Sequence, residues 1–393
     1  MLPLSYHLRS LHVRRVHTLA TLGCVALVAA VFCYLLCFAQ GLRRVFERSG
    51  DPRNMIVLAE GATAESNSAV THDEFRKLES VPHLAVDADG GLCLSPEVVV
   101  QTEIARRDDS SGARAGVPVR GVYPDAALRV HAQIELISGR WFGAGRDELL
   151  AGVKATERFE GVEVGATIEC GRRTFTIVGI FRADGGAHEG ELWGYLSNVA
   201  AAYQRRRYSS VRLRLDSSRE AAVTEAAGRI AAAHVALRGV SEQDYYSDQA
   251  GGAATIERMA LGIALVMGVG VVFAAMNSMH ASVAGRAREF AMLRTLGFTP
   301  ASVLAGIMLE SLAMSLAGGM LGCGACALVI ALGGQTRDFG TTATFASVAF
   351  AVRMTWQAVA GSIGVAALIG GLGGFWPACT AARAPLATAL RAT

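Results

Sequence analysis

The sequence predicts a membrane protein with four transmembrane α-helices and a large α+β extracytoplasmic domain between the first helix and the second. Three observations predict it. First, 52% of the 393 residues are hydrophobic and only 18% are charged, which is too apolar for an ordinary soluble chain of this size. Second, the excess gathers in windows free of Asp, Glu, Lys and Arg, at 16–42, 259–285, 311–336 and 354–382. Each exceeds the ~20 residues that cover ~30 Å of hydrocarbon, whereas a buried core helix needs an apolar run of only about 10–14. One charge at the centre of such a window would cost about 2.5–3.5 kcal/mol on insertion. Third, the segment between the first two windows mixes β-branched runs with an amphipathic helical pattern.

In chain order, a cytoplasmic lead over 1–17 precedes a first transmembrane helix over 18–39. The apolar part of this window is too long for the roughly 7–15-residue core of a cleaved signal peptide, and no A-x-A site follows it. It reads as an anchor that stays. The extracytoplasmic domain occupies 40–255, a second helix 256–279, a cytoplasmic linker 280–302 and a third helix 303–333. A short extracytoplasmic loop over 334–356, a fourth helix over 357–378 and a cytoplasmic tail over 379–393 complete the order. Orientation follows from arginine: Arg9, Arg14 and Arg15, then Arg286, Arg288 and Arg294, then Arg383 and Arg391 all fall on one side when both termini are cytoplasmic.

Within the large domain, "NMIVLAE" (54–60) and "PEVVVQTEIA" (96–105) are strand-like, and "TIECGRRTFTIVGIF" (167–181) reads as two strands about a turn at Gly171. "SVRLRLD" (210–216) alternates strictly, which predicts a strand with one face in water. "SSREAAVTEAAGRIAAAHV" opens on a capping box from Ser217 to Glu220 and repeats apolar residues at Ala222, Ala226, Ile230 and Ala233. "DDSSGARAG" (108–116) reads as an exposed loop.

The domain carries little recognisable chemistry. Its histidines form no metal-ligand spacing such as HExxH, and no G-x-S-x-G elbow appears. "HEGELW" (188–193), following "DGG", reads as a solvated loop. Lysine occurs only at Lys77 and Lys154, and neither lies in a Walker A loop, so the sequence contains no ATPase motif. No cofactor is expected. A net charge of +3 argues against a nucleic-acid partner. Cys24, Cys33, Cys37, Cys323, Cys326 and Cys379 lie in or beside spans and read as small packing residues. Cys93 and Cys170 fall in the exported segment, where a disulfide and two free buried thiols both fit.

The third and fourth spans each contain G-x-x-x-G, with Gly318 and Gly322 in one and Gly370 and Gly374 in the other. Such spacing lets helix backbones approach closely where lipid gives no hydrophobic drive for association. With Glu310 at the cytoplasmic edge of the third span, it predicts close packing against another helix, of a second copy or a related subunit. No ring of polar residues runs through the spans, which argues against an ion channel or proton relay.

The linker is the most informative stretch. "RAREFAMLRTLG" is a short helix stopped at Gly297, and "TPAS" begins the next helix with Thr299 as N-cap and Pro300 at its first position. Phe290, Leu293 and Gly297 share a face with Arg286, a mixed surface unlike that of a helix lying passively on lipid. "NSMHASVAGRAREFAMLRTLGFTPASVLAGIMLES" resembles the signature of the FtsX-like permeases, the membrane subunits of the MacB/LolC/FtsX class of ABC transporters. Asn277, Met279, Ser282, Val283, Arg286, Arg288, Glu289, Leu293, Arg294, Leu296, Gly297 and Glu310 carry that resemblance. "LRSLHVRRVHTLATLGCVALVAAVFCYLLCFAQGLRR" resembles the amino-terminal span of the MacB-like group. "SGRWFGAGRDELLAGVKATERF" and "GATIECGRRTFTIVGIF" resemble its extracytoplasmic domain, and "WPACTAARAPLATALR" its terminal segment.

The resemblance implies a bacterial inner-membrane permease without enzymatic activity. Its linker would act as a coupling helix through which Arg286, Arg288, Glu289, Leu293, Arg294 and Gly297 meet a separate ATP-binding cassette subunit. MacB fuses an ATPase ahead of its permease; here only a short lead precedes the first span, so the motor is expected on another polypeptide, as in the LolC/LolE arrangement. The implied partners are that ATPase, a second permease copy or paralogue, a periplasmic adaptor and membrane lipid. The function implied is mechanotransmission, in export or extraction of lipoprotein, lipid, peptide or drug. An FtsX-like scaffold that regulates an extracytoplasmic enzyme is the alternative.

Overall fold

The computed structural model of the protein describes residues 15–107, 114–233, 236–332, 336–340 and 347–383. From the N-terminal side, α1 (Arg15–Ser49) leads to β1 (Asn54–Ala59), a 3-10 turn at Glu65–Asn67 and α2 (His72–Leu78). Then follow β2 (Leu94–Ala105), β3 (Arg114–Val122), α3 (Pro124–Val130), β4 (Glu135–Gly139), β5 (Glu148–Gly152) and α4 (Val153–Arg158). The hairpin of β6 (Thr167–Cys170) and β7 (Arg173–Arg182) precedes a 3-10 turn at Ala187–Gly190, β8 (Leu192–Tyr195) and α5 (Leu196–Ala202). After β9 (Ser210–Arg214), α6 (Glu220–Ala233) and β10 (Leu237–Ser241) come the long α7 (Glu242–Ala284), the short α8 (Ala287–Thr295) and α9 (Pro300–Leu332). A hairpin of β11 (Thr336–Gly340) and β12 (Ser347–Ala351) and a last helix, α10 (Trp356–Arg383), end the described chain. The lead through residue 14, with Arg9 and Arg14, and the tail from 384, with Arg391, lie outside the described residues.

The chain divides into two compact units, one of Met1–Gln40, Ala253–Gln335 and Val352–Thr393, the other of Gly41–Gly252 and Thr336–Ala351. The fold class is the predicted one: among the described residues stand four helices long and apolar enough to cross a membrane, and an α+β domain between the first and second of them.

In the α+β unit β1 to β10 form one sheet in the order β10-β1-β9-β2-β3-β8-β5-β7-β4, with β6 on β7, and β11 pairs with β12 in a separate two-stranded sheet. Pairing is antiparallel except β3 with β8 and β5 with β7. Local signals place several elements. Thr71 and Glu74 cap α2 reciprocally, with Thr71 N–H donating to the Glu74 carboxylate at 2.7 Å. Gly171, at φ +61°, supplies the left-handed residue of the two-residue β6–β7 turn. One sheet face is an apolar core that includes Met55, Val57, Val98, Val100, Val119, Leu192, Val211 and Leu213, and α6 adds Ala226 and Ile230 to it.

Several expectations change. The second face of "SVRLRLD" is not the wet one predicted: Arg212 is fully buried and Arg214 partly so, and only Asp216 at its end is exposed. "HEGELW" is not a solvated loop: His188, Glu189 and Glu191 are buried. Helix α6 begins at Glu220 itself, and Ser217 accepts from Arg219 N–H instead of capping through a box; Ala233 is exposed. The predicted loop after the third span holds the β11–β12 hairpin, whose Phe350 is buried. Of "DDSSGARAG", residues 108–113 lie outside the described set and Arg114–Gly116 open β3. Cys93 and Cys170 are buried free thiols.

In the helical unit, large apolar side chains point outward, among them Leu265, Val266, Phe273, Leu321, Leu368 and Trp376. That much exposed hydrocarbon suits lipid and not water. Inside, the glycines set the approach of the helices. A Cβ on Gly318 would stand 3.0 Å from Val25 of α1, and one on Gly322 would stand 2.8 Å from Ala29 Cβ. A Cβ on Gly374 of α10 would meet Ser311 Cβ of α9 at 2.6 Å, and one on Gly370 would collide with Ser315. Ser311 Oγ donates to Gly370 O at 2.7 Å, so this contact is polar as well as close. The helices these glycines receive belong to the same chain.

Candidate functional site

The linker residues singled out by sequence form a compact joint. Helix α8 ends in a Schellman motif: Gly297, at φ +98°, donates its N–H to Arg294 O, and Phe298 N–H reaches Leu293 O. Two residues later Thr299 Oγ1 accepts from Ser302 N–H at 3.3 Å, with Pro300 opening α9. Phe290 and Ala291 are buried, Phe290 among Met279, Val283, Val303 and Ile307. Leu293 packs at the edge of this cluster. So α8 is seated on the ends of its neighbouring helices.

The charges divide. Arg286 turns inward: its side chain is 10% exposed, and Nη1 donates to Glu310 Oε2 at 3.1 Å, where Glu310 is 7% exposed. Its Nε reaches Glu289 at 3.3 Å, and the guanidinium lies 5.1 Å from the Phe290 ring centroid. This pair ties the start of α8 to α9. Arg288 and Glu289 are exposed, and Arg294 is half-buried. The outward charge of the joint is therefore carried by Arg288, Glu289 and Arg294, while Arg286 and Glu310 brace it from inside.

A second constellation, in the α+β unit, takes His188 and Glu191 from the "HEGELW" stretch and Arg212 from "SVRLRLD", to which the sequence assigned no site. On the sheet face opposite the apolar core, β3 supplies Arg120, β9 supplies Arg212 and β2 supplies Glu97; all three are buried. Glu65, Glu191 and Glu242 close around them from the two turns and the first turn of α7. Arg120 grips Glu191 with two hydrogen bonds, of 2.7 and 2.9 Å, and reaches both oxygens of Glu65 at 3.0 Å. Arg212 pairs with Glu242 and Glu65 and donates to Tyr246 Oη at 3.3 Å. Glu242 also accepts from Asn54 and from Asp51 N–H, which fixes the root of α7 in the domain.

Burial alone would raise the carboxyl pKa values here, but the facing groups outweigh it: Arg120 and Arg212 at Glu65, His131 and then the two arginines at Glu97, and Arg120 and then His188 at Glu191. Glu65 is held at about 2, and Glu97 and Glu191 also lie below the usual range. His131 Nε2 lies 2.7 Å from Glu97, yet desolvation pushes its pKa below the ordinary value. His131, His188 and Glu242 bring one ligand atom each within 4.8 Å of one another. These three are already engaged in the charge cluster, His188 through Glu191 at 3.2 Å. The sequence signal that was available is the pair of arginines at alternate positions of β9, but nothing local tells a buried polar face from a wet one.

Residues 18–232 match the family model described as the MacB-like periplasmic core domain, and residues 261–386 match that of the FtsX-like permease C-terminal. Over 128 residues the chain is 33% identical to the ABC transporter permease YknZ of Bacillus subtilis (strain 168); the match covers 32% of this chain and 28% of that relative's length. The extracellular domain of the noncanonic ABC-type transporter YknZ from Gram-positive bacteria, a crystal structure, matches with a TM-score of 0.34 and 14% identity. That match covers 48% of this chain and 99% of the other. A domain of a permease protein from Porphyromonas gingivalis matches with a TM-score of 0.32 and 16% identity, covering 49% of this chain and 91% of the other.

Proposed function

Because the chain belongs to the FtsX-like ABC transporter permease family with a MacB-like periplasmic core domain, we propose that it converts ATP hydrolysis on a separate ATP-binding subunit into motion of its large α+β domain. One observation carries this reading: α8 is seated on the helix ends through Phe290 and Ala291 while Arg288 and Glu289 face outward. A helix that merely covered lipid would bury its apolar residues outward. This one presents Arg288 and Glu289 outward together with Met292 and Leu296, a mixed charged and apolar face of the kind that docks on a protein. The ATPase closes and reopens, displaces α8, and so tilts α9 and α7. Helix α7 has 43 residues, about 65 Å at helical rise, twice what a bilayer needs. Its first turn is gripped by the Arg212–Glu242 pair, so displacement travels to the α+β domain. Two permease subunits work with a pair of ATPases, both termini lie in the cytoplasm, and cargo is handled outside the inner membrane.

The test is reconstitution with the cognate ATP-binding subunit. Glu289→Lys combined with Arg294→Glu reverses two outward charges without touching Phe290. We expect loss of co-purification and of permease-dependent ATPase stimulation. Undiminished association and ATPase rate would show that α8 is not the point of coupling.

A further inference from the structure

Four of the cysteines stand on two facing helices of the helical unit. Cys33 and Cys37 lie a turn apart on α1, Cys323 and Cys326 a turn apart on α9, and all four are buried. The Sγ atoms of Cys33, Cys37 and Cys326 lie within 4.8 Å of one another. Cys33 and Cys37 each come within hydrogen-bonding reach of Cys326. Cys323 also comes within hydrogen-bonding reach of Cys33, but its sulfur does not lie within 4.8 Å of all three. The two helices run in the same direction in a fixed register: Val25 faces Gly318, Ala29 faces Gly322, and one further step of four residues on each sets Cys33 against Cys326.

At the two steps before it Val25 meets Gly318 and Ala29 meets Gly322, whereas the third brings thiols together from both helices. Three convergent thiols, with no carboxylate or imidazole in the group, are a donor set for a soft cation. Calcium and magnesium require oxygen ligands. A structural zinc site takes four ligands, and the group offers three. We propose that Cys33, Cys37 and Cys326 bind one Cu(I) ion in a three-coordinate site between α1 and α9. Each sulfur that ligates as thiolate releases its proton to water. The ion enters as Cu(I), so no electron is transferred. Bound metal fixes two helices that already touch through glycine into one rigid pair. The site is independent of the ATPase-coupling reading.

The full-length chain in detergent, reduced and free of oxygen, is titrated with Cu(I) against a chromophoric Cu(I) chelator, and the ligands of the bound ion are read by Cu K-edge X-ray absorption. The expected result is one Cu(I) per chain in an all-sulfur, three-coordinate shell, with proton release on binding. Cys33→Ser, Cys37→Ser and Cys326→Ser each lose the ion, while Cys24→Ser and Cys93→Ser keep it. X-ray absorption on the unaltered chain gives the answer even if a serine variant does not fold. Stoichiometry unchanged in Cys326→Ser, or a shell that is not three sulfurs, overturns the site. Zn(II) binding that equals Cu(I) and requires Cys323 overturns the three-thiol geometry.

Discussion

Arg120 and Arg212 hold their guanidiniums out of water among four carboxylates. Removing one partner of such a set strands a buried charge, at a cost of about 3–5 kcal/mol. The pH dependence follows from the directions of the shifts. Glu65, Glu97 and Glu191 are more acidic folded than unfolded, so their contribution is present above about pH 4.3, the ordinary carboxyl value, and is lost as pH falls toward their folded values. His131 is also depressed, so the unfolded chain takes up its proton first as pH falls below about 6.5. Both effects weaken the domain in acid. Hydrogen-exchange protection of the β9 amides, corrected for intrinsic exchange, is expected to fall through His131 between about pH 7 and 4.5 and further through the carboxylates below about pH 4.3; flat protection across both ranges would contradict the assignment. Arg212 was legible as part of a strand and illegible as buried, because its cover comes from Glu242 and Tyr246, some 30 residues further on.

Between helices, the informative contrast lies within α9. Gly322 has α1 against it, whereas a Cβ on Gly324 would meet nothing within 4 Å. Gly322→Leu is expected to cost about 1–3 kcal/mol by forcing α1 and α9 apart, and Gly324→Leu to be nearly neutral. Thermal melting in detergent checks this, and equal effects at the two positions would contradict the register. The G-x-x-x-G spacing is visible in sequence and announces a close helix contact, but it does not name the partner. The partner is set by the four-residue ladder of Val25 and Ala29, which the apolar composition of α1 conceals. The β11–β12 hairpin was equally hidden: "TRDFG" and "SVAFA" are short, and Phe350 finds its cover against the backbone at Gly41, far away in sequence.

For the molecule as a whole, four charge-free windows are enough to announce spanning helices, since the cost of a charge in hydrocarbon is large and local. Orientation rests on arginine placement and is testable as such. In intact spheroplasts, a membrane-impermeant maleimide is expected to label Asp89→Cys, and to label Arg288→Cys only after permeabilisation. The reverse pattern would place α8 outside and end the coupling account. The division of labour inside the linker was out of reach of sequence, because Arg286 and Arg288 look alike until Glu310, in the next helix, claims one of them.

The closure at Gly297 and the fresh start at Pro300 leave almost no slack between α8 and α9. A joint this short cannot absorb a shove by stretching. Whatever moves the one helix must lever the other, and a few flexible residues spliced in at that point would leave both folded but mechanically deaf to each other.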